Sequence, residues 1–263
     1  MRSLKLAIVN IKKNFLNARE LKSAFIISII GMVLNNFSFT FLWLYFGKSV
    51  GVLNGFAPMD IFGIYAINTT SYGIVCAFLY GLYNIPSYIS SGNFDKFLIT
   101  PKNTLVKVVT SDISTSAFGD LVFGIICFII FCLSTKVSLI GVLLIILFTF
   151  LSTVVFFSFS LFCMSISFYL MDGENISTGL YSMFVGSSLY HGGAFTGVLK
   201  AIFIFIIPSL LLGAVPLEII LNFSFYKVLL LIALSLFWLI FSIYFFYRSL
   251  KKYESNNFFG FGG

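Results

Sequence analysis

Runs of about 20 apolar residues recur along the whole chain, and no other feature constrains the fold as strongly. About 20 residues of α-helix span the roughly 30 Å hydrocarbon core of a bilayer. Inside lipid the backbone must satisfy its own hydrogen bonds, so such runs are helices. Charged residues make up 10% of the 263 and hydrophobic ones 59%, with a mean hydropathy of +1.05. A soluble domain carries roughly 25% charged residues to solvate its surface. The composition therefore excludes a water-soluble fold. It predicts an all-α, polytopic membrane protein built as one transmembrane domain over 1–263.

Six spans are predicted, at about 23–46, 59–82, 113–133, within 137–170, 200–212 and 226–247. The fourth stretch exceeds the roughly 20 residues needed, so its helix tilts or continues past the membrane. Residues 1–22 place Leu4, Ile8, Ile11 and Phe15 at helical spacing beside Arg2, Lys5, Lys12, Lys13, Arg19 and Lys22. That pattern predicts an amphipathic helix lying in the headgroup plane of membrane lipid. The stretch 171–199 is too polar and glycine-rich to read as a span. It is expected at the cytoplasmic interface, with a short helix near 177–190. Residues 255–263 are expected to fray.

Lys and Arg counts set the orientation. With the N-terminus inside, thirteen fall in inner segments (Lys200 among them) and three in outer ones, Lys48, Lys136 and Lys227. This asymmetry predicts both termini in the cytoplasm. The expected location is the cytoplasmic membrane of a bacterium, in keeping with the wealth of Phe, Ile, Asn and Lys. The net charge of +7 is segregated to one side, which points to lipid headgroups and away from nucleic acid.

Chemistry-bearing clusters are missing from the sequence. His191 is the only histidine, which excludes paired-histidine zinc chemistry and marks it as a polar loop residue. Cys76, Cys127, Cys132 and Cys163 sit inside apolar runs with no CxxC pair, so neither a disulfide nor a metal site is expected. Gly47-Lys48-Ser49 mimics the end of a P-loop, but Leu42 stands where its first glycine belongs. No catalytic residue is assigned and no cofactor is expected in this chain.

The connection 84–103 is more apolar than a solvated loop requires. Pro86 suits the first turn of a short helix and Gly92 its C-terminal cap. Ile85, Tyr88 and Ile89 form a small apolar face, followed by Phe94, Phe97, Leu98 and Ile99. Such a surface is buried either in headgroups or in a partner protein. Within the spans, Asn35, Asn36, Asn68, Thr69, Thr70 and Asp120 mark a pathway or helix-to-helix bonds. Asp120 facing lipid would cost about 2.5–3.5 kcal/mol, so it faces protein or water. Gly63, Ala66, Gly73, Ala77 and Gly81 step by three or four around Thr70, a small-residue seam suited to close helix packing within the monomer or between subunits.

Taken in order, these pieces resemble the bacterial ABC type-2 export permeases, specifically the short six-span subgroup. The resemblance rests on Ser91-Gly92-Asn93-Phe94-Asp95-Lys96-Phe97-Leu98-Ile99-Thr100-Pro101 after the second span, and on Gly119-Asp120-Leu121 with Gly124. It continues through Ile207-Pro208 to Val215-Pro216, and through Arg248 with Tyr253-Glu254-Ser255. It implies a permease subunit of an exporter, with ATP and Mg bound by a separate ABC ATPase present in two copies. It also implies a second permease, identical or a sibling, for which the seam is the candidate contact. The segment around Ile85, Tyr88, Ile89, Phe94, Asp95 and Leu98 then becomes the candidate ATPase contact. Pro208 becomes the break of a kinked fifth helix on the pathway. A different reading of the same spans is a stand-alone membrane immunity or binding protein against a peptide toxin.

Overall fold

The structure, a computed structural model, describes residues 2–170, 173–190 and 192–253. His191 and the tail expected to fray lie outside these residues. No strand occurs among the described residues, and five helices are long and apolar enough to cross a membrane. The chain is an all-α polytopic membrane protein.

The amphipathic α1 (Arg2–Ala18) leads into α2 (Lys22–Val50), and the 51–59 connection into α3 (Asp60–Leu79). Two short helices follow, α4 (Ile85–Ser90) and α5 (Thr104–Val109), then the hairpin of α6 (Ala117–Thr135) and α7 (Leu139–Ser165). The chain ends with α8 (Gly173–Ser188), α9 (Gly197–Phe205), α10 (Ala214–Leu221) and α11 (Phe225–Leu250). Local sequence explains the breaks. Pro86 sits in the first turn of α4, and Gly92 after it takes a left-handed φ of +70° that favours glycine. The Asn103 side chain caps α5 through the Val106 N–H, and Ser138 caps α7 through the Gly141 N–H.

At the centre stands α3, packed on α6 and α7, with α11 against the far side of α7 and α2 against α6. Serine and threonine hydroxyls inside the helices mostly donate to the carbonyl four residues back, as Ser71, Ser165 and Ser235 do. That satisfies them without a partner in lipid. The two ends of the bundle differ. The 51–59 connection and the α6–α7 turn form one end, and α4, α5 and the 80–116 segment form the other. Both α1 and the last described residues sit at the α4 end. The Asn10 amide donates to Thr110 Oγ1 (3.1 Å), and the Tyr253 ring packs 5.2 Å from that of Phe94.

The fifth crossing departs from the sequence reading. Residues 200–212 do not form one span: α9 ends at Phe205 and a short 3-10 turn covers Pro208–Leu212. Instead α8 runs the length of the bundle. At its start Ser90 Oγ donates to Glu174 Oε2 (3.4 Å) beside α4. Past its far end the Tyr65 hydroxyl donates to the Leu189 carbonyl (3.1 Å), and Asn54 of the 51–59 connection donates to that of Gly193 (2.7 Å). So most of 171–199 is a helix through the bundle and not a segment at one interface. Its polarity hid it: Thr178, Ser182 and Ser187 each bond a carbonyl four residues back.

The chain then dips back into the bundle without crossing it. Ser152, midway along α7, donates to the Leu211 carbonyl (3.0 Å), and α10 returns to the end where α11 starts. There Glu218 accepts from both Lys200 (2.8 Å) and Lys227 (2.6 Å). Lys200 therefore shares an end with Lys227, which corrects the sequence count to twelve basic residues at the α4 end and four at the other.

Candidate functional site

Four helices converge on a cavity inside the bundle, where polar side chains meet the apolar Met32, Phe39 and Val185. Asn36 on α2 donates to Asp120 Oδ1 on α6 across 2.6 Å, and Asp120 is 2% exposed. Its other oxygen has no partner among the described residues. Asn68 on α3 donates to the Ser188 carbonyl (3.0 Å) and to Ser188 Oγ (3.2 Å) on α8. Asn35, Asn36, Asn68, Thr69 and Asp120 all line this cavity of about 120 Å³, closed on the far side by Val185, Ser188 and Leu189. The structure thus brings together five of the polar residues picked from the sequence. Thr70 faces a different, apolar groove between α3, α6 and α7, and Pro208 lies in the re-entrant turn. The contribution of α8 to the cavity was missed, because the short helix expected near 177–190 was placed at the cytoplasmic interface and not through the bundle.

The small-residue seam on α3 meets this chain's own helices. A Cβ at Gly63 would lie 2.7 Å from a Leu217 methyl, and one at Gly73 would lie 2.8 Å from a Leu121 methyl. One at Gly81 would collide with the Val108 carbonyl and Ser111 Oγ. Ala66 and Ala77 are buried in the core. The expectation that these residues pack against a second subunit is corrected: α6, α5 and α10 occupy the space. Glycines inside helices whose side-chain direction is empty lie elsewhere, Gly31 on α2 and Gly179 and Gly186 on α8 among them.

At the α4 end the apolar residues divide into two sets. Ile85 and Phe94 are fully buried, Phe94 between the rings of Phe168 and Tyr253. They hold α4 to the bundle and present no surface to a partner. Tyr88 and Ile89 are half-buried. The Tyr88 ring packs 5.2 Å from that of Phe97, with the Lys96 ammonium 4.2 Å above it. Asp95 is partly buried, and its carboxylate, after burial, raises the Tyr253 phenol pKa to about 12. Leu98 at 43% and Ile99 at 79% exposed are the apolar side chains that face outward. Asn84 donates to Asp112 Oδ2 (2.9 Å), and Tyr88 bonds Ser111 (3.3 Å). These bonds tie α4 to the strap leading into α6, and Ser90 ties it to α8.

A family model described as ABC-2 family transporter protein matches residues 23–257. The chain belongs to the ABC-2 transporter family. No curated protein and no solved structure matches it. An ABC-2 permease is a transport subunit of the membrane, and the cavity's size bears on what one copy does. At about 120 Å³ it holds a few waters at roughly 30 Å³ each. A pocket for a drug-sized ligand needs about 300–1,000 Å³. The cavity in this chain is therefore too small to enclose a drug-sized ligand by itself.

Two kinds of surface surround this permease. Exposed side chains on α6, α7 and α11 are apolar over most of their length, Ile125, Ile129, Leu143, Ile146, Phe237 and Ile240 among them. The α2 and α8 faces flanking the cavity also expose apolar side chains, Leu34, Phe37 and Met183 among them, but interleave them with Gly31, Asn35 and Ser38, and with Thr178, Gly179 and Ser182. The Asn35 amide has no hydrogen-bond partner among the described residues.

Proposed function

We propose that this permease subunit exports an amphiphilic substrate (a drug, peptide or lipid) from the cytoplasm, along a route formed where its α2/α8 face meets a second permease. That second permease is another copy or a sibling chain. The observation that carries the reading is Asn35, an exposed and unpartnered amide in the middle of a span. An amide moved into hydrocarbon without a hydrogen bond costs about 2–7 kcal/mol, so this face meets protein or water. The open glycines Gly31, Gly179 and Gly186 on the same face let another backbone approach closely.

ATP and Mg sit on a separate ABC ATPase, two copies per transporter, docked at the α4 end. Twelve of the sixteen basic residues gather there, which supports reading it as the cytoplasmic end, with both termini inside. Leu98, Ile99 and the half-buried Ile89 form the docking surface, with Tyr88 beside them. Closure of the ATPase pushes α4. The Asn84–Asp112, Tyr88–Ser111 and Ser90–Glu174 bonds pass that push to α6 and α8, the helices carrying Asp120 and Ser188 into the cavity.

Co-purification from native membranes in mild detergent tests the assignment. The wild-type chain should bring down a nucleotide-binding ATPase and a second permease. Leu98→Asp with Ile99→Asp should lose the ATPase and keep the permease, because the charges desolvate at an apolar contact while both positions stay outside the spans. Recovery of the chain alone, with no ATPase, would refute the exporter reading.

A further inference from the structure

The groove between α1 and α5 carries three lysines with no carboxylate against them. Lys107 is 8% exposed, and its ammonium donates to the Phe97 carbonyl and to the carbonyl and hydroxyl of Thr100 (3.0 Å each). Lys13 and Lys102 are exposed at the rim. No salt bridge reaches any of the three among the described residues. Burial, and then the Lys102 charge, lower the Lys107 pKa from its ordinary 10.5, as expected for a cation without a counter-ion. The groove measures about 340 Å³. Its wall is fixed by Asn10 and Asn14, whose amides donate to Thr110 Oγ1 (3.1 Å) and to the Thr110 carbonyl (3.2 Å).

Its depth is set by aromatic contacts. Phe15, one turn beyond the groove on α1, packs 6.1 Å from Phe25 at the start of α2 and 5.5 Å from Phe118 at the start of α6. The groove thus opens where the spans begin, at the height of lipid headgroups. Leu6 lines the groove, whereas Leu4 and Ile8 are exposed on the opposite face of α1.

We propose that this groove is a discrete binding site for one anionic glycerophospholipid, its phosphate held by Lys13 and Lys102 over the fixed charge of Lys107. Basic pockets at a membrane interface recognise such headgroups. A free phosphate ion would meet the same cations, but the groove's place at the start of the spans sets it among lipid headgroups. The site is independent of which ATPase or substrate the permease serves, and it requires only that α1 lie at the interface.

The test uses the purified full chain in mild detergent, with no ATPase, and follows its thermal unfolding while lipid is titrated. Phosphatidylglycerol should raise the melting temperature at lower concentration than phosphatidylcholine. Each lysine near an anionic headgroup is worth about fivefold in affinity. Lys13→Gln with Lys102→Gln should therefore shift the phosphatidylglycerol midpoint about thirtyfold and bring it to that of phosphatidylcholine. Both lysines are exposed, so the double variant should fold. Native mass spectra should show one phosphatidylglycerol retained by the wild type and lost from the variant. An unchanged midpoint and an unchanged bound lipid in the double variant would overturn the proposal. A full shift with inorganic phosphate in place of lipid would overturn it too, by assigning a free-anion site. So would a variant that keeps its lipid response but no longer co-purifies with an ATPase, which would make the groove a protein contact.

Discussion

Consecutive helices α2 and α3 both carry glycines, serines and asparagines through the membrane, yet their surroundings are opposite. Of the most apolar window of α3, 72% is buried inside this chain, against 11% for α2. On α3 and the turn that continues it, every seam glycine has a neighbour where a Cβ would go: Leu217 at Gly63, Leu121 at Gly73, Val108 at Gly81. On α2, Gly31 faces open space and Asn35 has no partner. Small and polar residues within a span therefore say that something comes close, but not what. On α3 it is the rest of the same chain. On α2, by our account, it is a second permease.

The largest effect that would break this contrast is at Gly81. A Cβ there meets the Val108 carbonyl, which is backbone and cannot swing away. Gly81→Ala should cost more than about 3 kcal/mol, above the usual range for overpacking, and should remove most monodisperse protein from a size-exclusion profile. Gly31→Ala should change stability by less than about 0.5 kcal/mol and leave the melting temperature of the isolated subunit unchanged. Similar losses at both positions would erase the distinction between the two helices.

A smaller effect tests whether α2 is held to the bundle by its polar contact. Removing the amide in Asn36→Ala leaves Asp120 without its 2.6 Å partner, at a cost of about 1–3 kcal/mol. Asp120→Asn, which keeps a side-chain oxygen at the same place, should cost less. Melting curves of the two variants in the same detergent give the comparison. A melting temperature for Asn36→Ala equal to that of the wild type would mean that the Asn36 bond contributes nothing to holding α2.

How much of this was legible in the sequence varies with the kind of signal. The all-α membrane fold follows from apolar runs, and the break at Gly92 from its need for a positive φ. Asn36, Asn68 and Asp120 stand out because a polar side chain in a span needs a reason. A helix near 177–190 was legible but its passage through the bundle was not, since Thr178, Ser182 and Ser187 make α8 polar while intrahelical bonds hide that polarity. Ile85 and Phe94 read the same as Leu98 and Ile99 in sequence, and only the rings of Phe168 and Tyr253 decide which pair is covered. Asn84 and the Ser188 carbonyl carry no sequence signal that distinguishes them from ordinary loop or helix residues.

The smallest expected effect concerns the re-entrant segment, which lies apart from both α2 and the seam. Partial burial raises the Glu218 pKa, but hydrogen bonds and charge from Lys200 and Lys227 outweigh it and leave the pKa below its ordinary 4.5. The sign of the linkage follows. The stabilisation is fully present above about pH 4.5 and is lost as pH falls through the lower folded value. All three side chains are partly exposed, so Glu218→Gln should cost about 1 kcal/mol or less. The difference in melting temperature between variant and wild type should be constant at neutral pH and shrink in acid. A difference that grows in acid would contradict the ion-pair account.

The central claim, that the α2/α8 face and not the α3 seam meets the second permease, is tested most directly by photocross-linking in native membranes. A photoreactive amino acid is placed at Ser38 or Ser182 on the proposed face, and at Ile146 or Ile240 on the apolar faces of α7 and α11. Because the probe reacts with any neighbouring chain, it serves for a second copy and for a sibling alike. The account predicts a cross-linked product of about two permease masses from Ser38 and Ser182, and lipid adducts only from Ile146 and Ile240. A two-permease product from Ile146 or Ile240, with none from Ser38 and Ser182, would contradict it.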